Sequence, residues 1–155
     1  MRLARLSLER YERQRGLAGA AVGTDRRSAS LAARRDLLDP ALPQLEILLD
    51  PKLMAAELGR AVFTAPTRLT EVAVVRHKPG RRCTLRYEAR VRRPGATRIE
   101  RLFGKTFASD RGPQVHRVIE AISAARACGP EVLVPEPVRY IPFLRTTLQR
   151  EVPGE

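Results

Sequence analysis

The chain of 155 residues has no tryptophan, three tyrosines and four phenylalanines, so aromatics make up only 5% of it. That scarcity argues against a protein that stacks exposed bases on aromatic rings. Lysine is also rare: Lys52, Lys78 and Lys105 are the only three among 29 basic residues. The two cysteines, Cys83 and Cys128, cannot build a disulfide scaffold or, alone, a zinc site. With no secretory h-region, the expected setting is a reducing cytoplasm. No apolar run approaches the roughly 18 residues of a membrane span, so no membrane partner is expected. What is present is a globular mixture, 43% apolar and 30% charged, enough for one domain and an appended arm.

The net charge of +12 is unevenly spread. Arginine at 26 residues, with abundant alanine, glycine and proline, is what GC-rich coding produces, so part of this charge carries no function. Residues 1–35 hold nine arginines against three acids, and small polar residues break their pattern, which reads as a flexible basic arm. Residues 76–101 hold ten Lys or Arg against two acids, a local patch inside the fold.

From Ser30 onward the pattern becomes structured. Leu31–Leu38 reads as a short helical stretch and Leu45–Leu49 as an apolar run. Asp50-Pro51 has the form of an N-cap followed by proline at the first helical position. Leu69–His77 is valine-rich and reads as a strand, and Lys78-Pro79-Gly80-Arg81 suits a type II turn. From Cys83 to Val91 apolar and polar residues alternate strictly, which predicts a half-exposed antiparallel strand. Arg92–Gly95 forms a second turn and Ile99–Phe107 a third strand. A helix follows, with Val115, Val118, Ile119, Ile122 and Ala125 as one apolar stripe, ended by Gly129-Pro130. Val138–Ile141 and Leu144–Val152 complete an α+β order: short helices, then a five-stranded antiparallel sheet with one packed helix.

Two places invite chemistry on residue grounds. Lys105 lies mid-strand between Phe103 and Phe107 on one side of the pleat, and a half-buried ammonium needs an anionic partner. Glu120, the one acid of the following helix, is the candidate; the alternative on spacing alone is that Lys105 snorkels at a sheet edge and Glu120 faces water. The Lys78–Arg82 turn places three cations and a glycine where phosphate groups can be held.

Four segments together resemble the N-terminal lobe of aminoglycoside phosphotransferase-like small-molecule kinases, a branch of the protein-kinase-like fold. They are V-V-R-H-K-P-G-R-R-C-T-L-R-Y (74–87), L-F-G-K-T-F (102–107), the helix bearing Glu120, and V-P-E-P-V with L-Q-R-E-V-P-G (134–138 and 148–154). The resemblance covers about residues 36–155 and implies an ATP-binding lobe. In it, Lys78, Gly80, Arg81 and Arg82 would cover the ATP phosphates, Lys105 would reach the α- and β-phosphates, and Glu120 would hold Lys105 in place. Phe103 would border the adenine, with Leu85 or Tyr87 beside it and Gln149 at the back. The Arg150 carbonyl and the Val152 amide would bind the adenine edge. The family's H-G-D-type catalytic loop and metal-binding Asp belong to a C-terminal lobe. His77 and His116 are followed by Lys78 and Arg117 and cannot supply that loop, so Mg2+ is expected only with the missing lobe. The implied partners are ATP and that lobe, or a protein covering the same cleft, and the chain alone is expected to be inactive. The competing readings are a basic nucleic-acid-binding module using residues 76–101 and the arm, which the lack of stacking aromatics argues against, and a pseudokinase-like interaction module.

Overall fold

Asp50 caps the helix that follows it, as the sequence suggests. Its carboxylate accepts from the amides of Lys52 and Leu53 at 2.8 and 3.0 Å, occupying two of the unpaired donors at a helix start. The computed structural model describes residues 38–125 and 135–152. The basic arm at 1–35, most of the Leu31–Leu38 stretch and the Gly129-Pro130 stop lie outside the described residues.

The elements in order are α1 (Leu45–Leu48), α2 (Pro51–Leu58), a π-helical turn (Gly59–Phe63), and three long strands. These strands are β1 (Thr67–Lys78), β2 (Arg82–Arg93) and β3 (Ala96–Phe107). Helix α3 (Gly112–Ala125), β4 (Pro137–Ile141), a 3-10 turn (Pro142–Leu144) and β5 (Thr146–Arg150) follow. The five strands form one antiparallel sheet in the order β1-β2-β3-β5-β4. The fold is therefore α+β, as the alternation and turn residues predict. Both hairpin turns rely on a glycine with positive φ, Gly80 at 69° and Gly95 at 77°, each preceded by proline. The first is closed by the Arg81 amide donating to the Lys78 carbonyl at 3.1 Å.

The alternation in β2 sorts the two faces of the sheet. Cys83, Leu85, Tyr87, Ala89 and Val91 are all buried, with Leu102 and Leu148 beside them. Against this face lie Leu42, Leu45, Leu48, Met54 and Leu58, each at 0–1% exposure. Each such side chain contributes about 1.5–3 kcal/mol on leaving water. The short helices at 45–58 thus exist to cover one face. Tyr87 ties the layers by donating its hydroxyl to the Leu48 carbonyl at 3.1 Å. Gln44 does the same through Thr106 Oγ1 at 2.7 Å. Close packing dictates Gly104, because a Cβ there would meet Tyr87 Cε2 at 2.9 Å.

The stripe of α3 is the exception to the expected packing. Val118 and Ile122 are 51% and 46% exposed, and Gly112 is the helix's one buried residue. Helix α3 meets β4 and β5, with Gly112 and His116 among its contacts there. His116 lies against Tyr140, with ring centroids 6.2 Å apart, and Gly112 sits where a Cβ would strike the Tyr140 ring.

Candidate functional site

Strand register decides which side chains share a surface. Across the second face, Thr84 is opposite Lys105, and Lys105 is opposite Thr147. In the next row Arg86 is opposite Phe103, and Phe103 is opposite Gln149. Lys105, Phe103, Gln149 and Thr147 therefore stand together, and α3 lies on the same side because His116 reaches Thr147. Arg82 and Lys78 are cross-strand partners at the turn end of this face, next to Arg76.

Leu85 does not belong here. It is opposite Gly104 and fully buried on the other face, as is Tyr87, so neither can border a ligand lying against Phe103 and Lys105. The two-residue loop Pro94-Gly95 pairs Arg93 with Ala96. Counting back from that pair puts Arg86, not Leu85, opposite Phe103, a signal the sequence does contain.

Lys105 is not held by Glu120. Among the described residues it has no carboxylate within ion-pair distance. Burial first, and the neighbouring Arg82 charge second, hold its ammonium below the usual lysine range. Glu120, with its side chain 55% exposed, turns to His116 one helical turn earlier, Oε1 to Nε2 at 3.4 Å. The i,i+4 spacing makes that neighbour local, whereas Lys105 would have to be reached across the helix–sheet gap. On its other side His116 Nδ1 is 2.9 Å from Thr147 Oγ1. His116 thus bridges Glu120 and Thr147 through its two ring nitrogens.

The basic turn is braced from outside the sheet. The Gly80 amide and His77 Nε2 both donate to Asp39 Oδ2, at 2.7 and 3.0 Å. Hydrogen bonding from Gly80, reinforced by the Ala41 amide and His77, holds the Asp39 carboxyl below its usual range against the opposing cost of burial. The Gly80 amide is thus already occupied and not aimed at a phosphate. What the turn offers an anion is side-chain charge. Lys78 is pushed below the usual lysine range by Arg76 first, then by Arg82, burial and Arg81. Arg76, Lys78, Arg81, Arg82 and Lys105 form a crowded cationic group, none of them ion-paired among the described residues.

At the expected adenine edge, Arg150 ends β5. Its amide donates to the Glu136 carbonyl at 2.9 Å, and the Glu151 amide donates to the Arg101 carbonyl at 3.0 Å on the opposite side. In extended chain the amide and carbonyl of one residue point the same way and alternate along the strand. The Arg150 carbonyl therefore faces away from β3. The Arg150 side chain is committed to Glu100 and Glu136. Val152 is half-buried just beyond the strand. Sequence reasoning did not single out His116, Thr147, Arg76 or Asp39. The His116–Glu120 spacing was readable, while the Asp39–Gly80 bond spans 41 residues and carries no local signature.

Among the described residues no three His, Cys, Asp or Glu side chains converge as metal ligands, and no helix is long and apolar enough to cross a membrane. Cys83 is buried and its thiol is pushed up to about 11 by burial, with the Asp39 charge adding to it. No family model, curated protein or solved structure matches the chain.

Proposed function

We propose that this chain is the ATP-binding lobe of an aminoglycoside phosphotransferase-like small-molecule kinase, working in the cytoplasm. One observation carries the reading. A half-buried lysine with no carboxylate partner among the described residues stands among Arg82, Lys78 and Arg76, on the same sheet face as Phe103 and Gln149. A half-exposed ammonium crowded by like charge is stabilised by a polyanion, and the triphosphate is one. A five-stranded antiparallel sheet with a helix between β3 and β4 is the element order that the resemblance implies, and this supports the reading.

In this reading Lys105 and Arg82 take the phosphates, with Lys78 and Arg81 closing over them from the turn that Asp39 braces. Phe103 and Gln149 form the base side, and the Arg150 carbonyl and Val152 amide its edge. The nucleotide, not Glu120, is the counter-ion of Lys105. The phosphoryl-transfer step itself is assigned to none of these residues.

Thermal denaturation with added ligand tests the proposal. ATP at 100 times its Kd stabilises a protein by about 2.7 kcal/mol, a rise of several degrees. ATP is expected to give that rise, adenosine less, and Lys105→Ala is expected to weaken ATP affinity at least tenfold. An unchanged melting temperature with ATP, or equal binding by Lys105→Ala, overturns it.

A further inference from the structure

The basic stretch at 76–101 is continuous in sequence, but the hairpin register divides it between opposite ends of the meander. One part surrounds Lys105. The other is the tip of the β2–β3 hairpin, with Arg90, Arg92, Arg93 and Arg98, joined by Arg68 of β1 opposite Arg90. Between these two ends the sheet's arginines find partners: Arg86 with Glu71, Arg101 with Glu88, and Arg150 with Glu100. The five at the tip have no ion-pair partner among the described residues. Arg68 and Arg90 are direct cross-strand neighbours, an arrangement that destabilises a sheet unless an anion relieves it.

The shape of this tip is as specific as its charge. The strand β1 starts its pairing at Thr67 opposite Val91, and the Arg92 amide still donates to the Pro66 carbonyl at 2.9 Å, so β2 and β3 run on alone as a two-stranded ribbon beyond Arg92. Every residue from Arg92 to Ile99 is exposed. Arg92, with Arg90 at the base, lies on one face, and Arg93, with Arg98 at the base, on the other, following the alternation of the register. The portion beyond Arg92 projects about 7 Å, at roughly 3.3 Å per residue. Pro94 stands at its end.

We propose that this ribbon is a docking element for duplex DNA. Charge on both faces suits a groove walled by phosphates on either side, whereas a flat anionic membrane would engage one face only. A B-form major groove, about 12 Å wide and 8.5 Å deep, admits a two-stranded ribbon of this depth. The A-form groove of duplex RNA is too narrow for side chains to enter. The stretch from Glu88 to Arg101 holds no aromatic residue, so stacking on a single strand is not available to it. This inference is independent of the nucleotide proposal, which uses the other end of the sheet.

The test is fluorescence anisotropy of the full chain with a labelled DNA duplex about two helical turns long, titrated across roughly 50–200 mM salt. Single-stranded DNA, duplex RNA, polyglutamate and phosphatidylserine vesicles serve as competitors. The duplex is expected to bind most tightly. Arg92→Gln with Arg93→Gln should weaken it across sequences and reduce the log–log salt slope by about 2, one for each phosphate no longer neutralised. Because the N-terminal arm is itself basic, the difference between wild type and the double variant is the quantity read. The melting temperature and ATP response of that variant should match wild type, while Lys105→Ala should leave the salt slope unchanged. An unaltered slope in the double variant, or vesicles or polyglutamate competing as well as unlabelled duplex does, overturns the proposal.

Discussion

The two ends of the three-stranded meander carry similar numbers of cations but differ in what lies behind them. At the Lys105 end, β3 is flanked by β2 and β5, the opposite face rests on Leu45, Leu48 and Met54, and Asp39 braces the turn. At the Arg93 end nothing described backs the ribbon, and its side chains extend into solvent. Charge that is partly desolvated on a rigid scaffold shifts its proton affinity and can select a compact ligand by geometry. Charge on an exposed ribbon keeps its full hydration and favours an extended polyanion through summed, salt-sensitive attraction. Similar residues therefore stand in different physical settings at the two ends, and each proposal rests on one of them.

Core truncation should separate the ends most sharply. Tyr87→Ala removes a fully buried ring and the bond to Leu48, and is expected to cost about 3–5 kcal/mol in urea denaturation. Ile99→Ala, on the ribbon at 52% exposure, should change stability by no more than about 0.5 kcal/mol. Comparable losses at both positions would mean that the ribbon is packed.

A smaller contrast comes from glycines on the same hairpin. Gly104→Ala drives a methyl into the Tyr87 ring, an overpacking cost of about 1–3 kcal/mol. Gly95→Ala meets open space, and its only cost is the positive φ, about 1–2 kcal/mol. Combining Gly104→Ala with a smaller residue at Tyr87 should recover part of the first loss and none of the second.

The mildest effects are in pH dependence, and both belong to the Lys105 end. Asp39 has a folded pKa below its unfolded value, which is about 3.9. Its contribution is complete above that unfolded value and is lost as pH falls through the folded one, so it disappears in acid below about pH 4. Asp39→Ala should remove this acid limb and speed amide exchange at Gly80. Lys105 is also lowered, but for a base this means that its charged form is penalised in the folded state. Stability should rise with pH from the folded value toward the ordinary one at about 10.4. Lys105→Met should accordingly raise the melting temperature at neutral pH without nucleotide while abolishing the ATP-induced rise. Ribbon arginine variants should alter neither limb.

Much of the fold was legible because its signals are local. Strict alternation from Cys83 to Val91, two Pro-Gly turns, the Asp50-Pro51 helix start and the spacing of β3, α3 and β4 depend on residues a few positions apart. They fix element type, hairpin connectivity and the two-sided character of β2. The grouping of Lys105, Phe103 and Gln149 was half-legible: alternation put the first two on one side, and only strand pairing brought the third beside them.

What tertiary structure alone decided was which distant groups met. Asp39 reached Gly80 across 41 residues and took the amide that a phosphate would need. Helix α3 met β4 and β5, and Glu120 found His116 before it could find Lys105. One basic stretch became two separate surfaces because hairpin pairing placed its halves at opposite ends. The physical reason is the same in each case. Period and turn chemistry are set by the backbone of a few residues, whereas the partner of a charge is set by whichever remote element packs close enough to displace water from it.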